Sequence, residues 1–136
     1  MKFGYNYLMN GLEQGLGIFY LILGISFALN ANKLWFPLLE KLKEEIYIIY
    51  LGLFALTIGT GMILTHNIWS FQPAELLTTV TGWGLFLEGI RYLFFPGTIL
   101  LYIPKSLTLV RFAGGFLSIL TGALILLNAG GFHWIQ

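Results

Sequence analysis

Four long apolar stretches, parted by short polar or proline-containing connections, organise the chain. They run over about residues 11–30, 44–65, 73–95 and 106–128, and each is long enough to cross the hydrocarbon of a bilayer as a helix of about 20 residues. The boundaries carry their own signals. Glu44 and Glu45 stand in the first turn of the second stretch, where negative charge suits the helix dipole, and Asn67 follows its end. Pro73 suits a first helical position, and Phe95-Pro96-Gly97 cannot continue a helix. Ser106 is a good N-cap for the fourth stretch, which stops at Asn128-Ala129-Gly130-Gly131. Between the first two stretches, Leu34, Trp35, Leu38, Leu39 and Leu42 alternate at helical spacing with Lys33, Glu40, Lys41 and Lys43, which predicts a short amphipathic helix over about 33–43 lying in the interface.

Inside the stretches the small residues are patterned. Each carries two glycines seven residues apart: Gly17 and Gly24, Gly52 and Gly59, Gly82 and Gly89, Gly115 and Gly122. In a water-soluble helix each would cost about 1 kcal/mol against alanine, whereas in lipid a small residue lets two backbones approach and gain dispersion contact. The glycines therefore predict packing seams.

Composition agrees with an all-α membrane domain. Of 136 residues, 57% are hydrophobic and 10% charged, and the mean hydropathy is +0.82. A net charge of +1, with scattered Lys and Arg, offers no field for nucleic acid. The lack of cysteine removes disulfides and thiol chemistry. Six of the seven positive residues, Lys33, Lys41, Lys43, Arg91, Lys105 and Arg111, fall in or beside the first and third connections, with Lys2 alone on the other side. By the positive-inside rule both termini face outward. Trp69 and Trp134 would then anchor the outer interface and Trp35 the inner one. A competing reading takes Lys2, the first apolar run and Ser26-Phe27-Ala28 as a cleaved signal peptide, against which the first stretch shares the glycine and charge patterns of the others.

The halves also look like copies. A shift of 65 places Gly17, Gly24 and Ile25 on Gly82, Gly89 and Ile90, and a shift of 61 places Leu56, Ile58, Thr60, Gly61 and Asn67 on Leu117, Ile119, Thr121, Gly122 and Asn128. The expectation is a four-helix bundle of two parallel helical hairpins, with Gly61 competing with Gly59 for the place of Gly122. Leu85-Phe86-Leu87-Glu88-Gly89, Phe95-Pro96 and Val110-Arg111-Phe112-Ala113-Gly114-Gly115 followed by Gly122 resemble the YjeT-like family of very small bacterial inner-membrane proteins. The resemblance covers about residues 82–128. It implies a two-helix unit in the inner membrane and no activity, and the apolar connection from Gly97 to Pro104 departs from that family's basic one.

Three sets of polar residues are candidates for chemistry. Glu88, Arg91 and Arg111 stand at similar depth, so a carboxylate between two guanidinium groups is expected, either as a clamp between the third and fourth helices or as part of an ion path. Two nearby cations favour the clamp. Glu13, His66, Glu75 and His133 lie near helix ends on the outer side, where they could serve as metal ligands, although none has metal-site spacing, and the two histidines lie too far out for axial haem ligation. Thr57, Thr60, Thr78, Thr79, Thr81, Ser118 and Thr121 could line a polar track or bond to backbone. With no aspartate, no cysteine and no catalytic or phosphate-binding motif, neither an enzyme nor a cofactor is expected. The expected role is a multi-pass inner-membrane structural or accessory component that contacts lipid and either itself or larger membrane subunits. The alternative is a small oligomeric channel or proton-coupled transporter using Glu88.

Overall fold

The computed structural model describes residues 2–42, 44–101, 108 and 110–129, and every regular element among them is helical. In chain order these are α1 (Lys2–Asn30), a π-helical turn (Ala31–Trp35), α2 (Phe36–Lys41), α3 (Glu45–Thr65), α4 (Pro73–Phe94), a 3-10 segment (Pro96–Leu101), a π-helical segment (Val110–Phe116) and α5 (Leu117–Asn128). Gly11–Lys41, Glu45–Thr65 and Arg111–Asn128 are long and apolar enough to cross a membrane, which makes this a membrane protein by length and composition. At 22 residues α4 is of similar length, but it carries Glu75, Glu88, Arg91 and three threonines, and it falls outside that set.

Local chemistry accounts for the ends of α3 and α4. His66 leaves the helix with φ −144° and ψ 90°. Gln72 is extended, the conformation a following proline favours, and Pro73 then opens α4. Phe95, which leaves the helical region with φ −134° and ψ 59° before Pro96, closes it. Ser106, Gly130 and Gly131, which were expected to mark the fourth helix, lie outside the described residues.

The expected free-standing amphipathic helix is instead a continuation of α1. At Asn30 the backbone departs to φ −113° and ψ 21°, and the next turn widens, with the Phe36 N–H bonded to the Ala31 carbonyl five residues back. Pro37, which lacks an N–H, then sits in the first turn of α2, where no helical donor is needed. The chain stays helical through this break, so Trp35 is held against α1: its ring stacks on Phe27 at 3.9 Å and its indole N–H donates to Ser26 Oγ at 3.0 Å.

The helices pack as two antiparallel pairs, α1 with α5 and its preceding π-helical segment, and α3 with α4. Glycine sets both distances. A Cβ at Gly89 would lie 2.5 Å from Leu56 N, and one at Gly59 would fall against Phe86 N and 2.9 Å from the Gly82 carbonyl. In the other pair, a Cβ at Gly122 would lie 2.7 Å from the Gly17 carbonyl and one at Gly24 would lie 2.7 Å from Ile119 N. Gly17, Gly52, Gly82 and Gly115 face the same two seams. Gly61 meets nothing within 4 Å, so of the two it is Gly59 that stands at a seam, as Gly122 does in the other pair.

Consecutive stretches one and two do not form a hairpin, because the glycine face of α1 is taken by α5 and that of α3 by α4. The pairs meet where α4 and α5 touch, through Ala74, Ile125 and Ala129 with Leu16, Tyr20 and Leu77 around them. Tyr20 and Thr81 hydroxyls add a hydrogen bond of 3.1 Å across this contact. Ile48, Ala55 and Met62 are buried along α3, while many other apolar side chains, such as Phe19, Ile22, Tyr50, Phe54, Leu64 and Leu87, point outward, as lipid-facing residues do.

Candidate functional site

The buried polar and charged side chains among the described residues collect at one end of the bundle. They are Glu13, His66, Thr78 and Thr79, drawn from α1, the α3–α4 connection and α4. Glu13 is 4% exposed and His66 1%, and their facing atoms, Oε1 and Nε2, are 3.6 Å apart. The same ring nitrogen lies 3.4 Å from the Glu75 backbone carbonyl. The second ring nitrogen of His66, Nδ1, is buried without a partner, and so is the hydroxyl of Thr78. Burying such groups unpaired is costly, and an ionisable pair withdrawn from water near a membrane is the chief candidate for function on physical grounds.

The α3–α4 connection is built to hold His66 inward. Thr79 donates its hydroxyl to the Ile68 carbonyl at 2.8 Å and accepts the Ile68 N–H at 3.2 Å, which ties the connection to the first turns of α4. Ser70 donates to the Glu75 carboxylate and accepts the Gln72 N–H at 3.1 Å, fixing the approach to Pro73. Asn67 Oδ1 accepts both indole donors nearby, from Trp69 at 3.0 Å and from Trp83 at 3.2 Å. These bonds account for the ordered entry of α4. They use Glu75 locally, so its carboxylate is bonded to Ser70 and only its backbone carbonyl approaches His66.

Of the four outer residues weighed as metal ligands, the structure brings Glu13, His66 and Glu75 to one end, and His133 lies outside the described residues. Among the described residues no three His, Asp or Glu side chains are placed to hold one metal ion. The contact that spacing could not reveal is the pairing of Glu13 with His66, since the two residues are 53 positions apart in the sequence. Their common signal was position alone: one opens the first apolar stretch and the other closes the second.

At the opposite end Glu88 and Arg91 pair, with the guanidinium Nε donating to Glu88 Oε2 at 2.9 Å. Arg91 Nη1 also donates to Thr98 Oγ1 at 3.0 Å, and its guanidinium lies 4.8 Å from the Tyr92 ring centroid. Arg111 takes no part in the Glu88–Arg91 ion pair. It is exposed, on the π-helical segment that packs against α1, and this places it on a different helix pair from α4. The Glu88 side chain keeps 47% of its surface exposed, so this pair is a partly exposed contact within one helix and not a buried clamp between two.

Of the hydroxyl residues weighed for a polar track, Thr57 and Thr81 donate to the carbonyls of Leu53 and Leu77, each four residues back, as Thr65 does to Gly61, and Thr79 bonds to the Ile68 backbone, whereas the Thr78 hydroxyl has no partner. Comparison of the chain with protein-family profiles, with curated proteins and with solved structures returns no match.

Proposed function

We propose that this protein is a four-span component of a bacterial inner membrane, with both termini outside, that serves as a structural or accessory subunit of a membrane assembly. The observation that carries this reading is the location of the buried polar groups. All of those described stand at the His66 end, and beyond them the helices close on one another through glycine–backbone contacts. A pore needs polar or small residues facing open space along a continuous path, whereas these glycines are filled by the neighbouring helix.

An internal repeat fits the same reading. Exchanging the halves converts the seam contact of Gly59 with Gly82 into that of Gly122 with Gly17, as a pseudo-two-fold along the membrane normal would. The resemblance of residues 82–128 to YjeT-like proteins adds a kinship and no activity. A surface rich in apolar side chains is suited to lipid, a second copy or larger membrane subunits.

Crosslinking in native membranes followed by intact-mass analysis tests the proposal. A fixed stoichiometry with itself or with larger membrane subunits is expected, and proteoliposomes of the purified chain should carry no ion or proton flux. A flux that disappears in Glu88→Gln while the protein remains fully assembled would overturn the proposal in favour of a transporter.

A further inference from the structure

The two helix pairs meet through Ala74, Ile125 and Ala129, while α1 and α3 share little packing. Near Asn30 and Glu45, α1 and α3 stand apart, and α2 folds beside the gap. The result is an open apolar cleft of about 520 Å³, within the roughly 300–1,000 Å³ typical of small-molecule sites. Phe54, Leu51 and Tyr47 form the α3 wall, and Phe27, Trp35 and Leu39 form the other. This wall is pre-organised, because Trp35 is already held by its stack on Phe27 and its bond to Ser26.

The depth of the cleft and its rim identify the occupant. Phe27 and Phe54 belong to stretches that are membrane-spanning by length and composition, so the cleft opens into hydrocarbon and a polar ligand would have no partner there. The rim is charged with both signs. Just past α2 the Glu44 N–H bonds to the Lys41 carbonyl at 3.0 Å, and Leu42 lines the cleft. Lys41 and Glu44 are both exposed. An exposed cation and an exposed carboxylate flanking Leu42 complement a headgroup that carries a phosphate and an ammonium, and the carboxylate favours an N–H donor over a quaternary amine.

We propose that this inter-pair cleft is a lipid site that holds one acyl chain of a phosphatidylethanolamine-type phospholipid, with its phosphate toward Lys41 and its ammonium toward Glu44. The proposal rests on the membrane reading but not on the accessory role, since a retained lipid is read independently of flux or copy number. The lipid would act as a wedge that fills space between α1–α2 and α3, which pack little on each other directly.

Mass analysis of the intact full-length protein released from nanodiscs of equal phosphatidylethanolamine, phosphatidylcholine and phosphatidylglycerol tests it. One retained phosphatidylethanolamine per chain is expected, preferred about tenfold over phosphatidylcholine, the ratio expected of one hydrogen bond to a charged group. Leu51→Trp fills the cleft and should abolish retention, whereas Leu87→Trp, on an exposed face of α4, should leave it intact. Glu44→Ala, at an exposed position, should erase the preference over phosphatidylcholine. Equal retention of all three lipids, a preference for phosphatidylglycerol, or retention unchanged by Leu51→Trp would overturn the proposal.

Discussion

Gly59 and Gly61 lie two residues apart on α3, in the same kind of helix and the same apolar stretch, so Gly59→Ala and Gly61→Ala differ only in what the new methyl meets. At Gly61 it meets nothing within 4 Å, and the substitution gains up to about 1 kcal/mol of helix propensity. At Gly59 it falls against Phe86 N, 2.8 Å from Phe86 Cα and 2.9 Å from the Gly82 carbonyl. These are backbone atoms, so no side-chain rotation relieves the contact and α3 must move off α4. Restoring an ordinary separation of about 3.5 Å between carbons needs a displacement of roughly 0.7 Å, which forfeits a quarter to a half of the dispersion energy of atoms along the seam. Such overpacking costs about 1–3 kcal/mol. The propensity gain is common to both variants, so the cost appears directly as the difference between them. Titration of each variant with sodium dodecyl sulfate in mixed micelles, followed by tryptophan fluorescence, should place the midpoint of Gly59→Ala below that of Gly61→Ala by an amount equivalent to about 1–3 kcal/mol. Equal midpoints, or a lower one for Gly61→Ala, would refute the assignment of the seam to Gly59.

Three further outcomes follow from the two ends of the bundle. Glu13→Leu and His66→Leu each strand a buried ionisable partner and should each destabilise by about 3–5 kcal/mol, while the double variant should lose less than the sum by about 0.5–3 kcal/mol; strict additivity in the same titration would dissolve the pair. Tyr20→Phe removes the inter-pair bond to Thr81, whose hydroxyl still reaches the Leu77 carbonyl, so a cost near 0.6 kcal/mol is expected, about the mean for interhelical bonds in membranes, and a loss several times larger would mean that Tyr20 holds the pairs together alone. Glu88→Gln should shift the unfolding midpoint by no more than about 1 kcal/mol because its pair is half exposed, and a larger loss would restore the buried clamp.

The extents of α3 and α4 were legible in the chain because their boundaries are local: Pro73, Pro96 and the residues before them act on their own backbone. The apolar lengths, which alone settle what can cross a membrane, are local in the same sense. The amphipathic segment was legible as a helix but not as the extension of α1, because periodicity reports which faces are apolar and is silent on whether hydrogen bonding carries through a widened turn.

Partnership is another matter. Glycine spacing names a face from which another backbone can be approached, but it is blind to whose backbone arrives; the pairing of α1 with α5 and of α3 with α4, and the choice of Gly59 over Gly61, depend on the rotation of each helix against its neighbour. The same holds for charge. Glu88 and Arg91 are neighbours because three residues make nearly one helical turn, a fact written in the sequence, whereas Arg111 falls away from them and Glu13 meets His66 only through docking between elements. By itself, then, the sequence determined the helices and their affinity for lipid, through residue-by-residue properties of side chain and backbone. The tertiary structure alone decided which faces close on one another, since that is settled by contacts many residues apart.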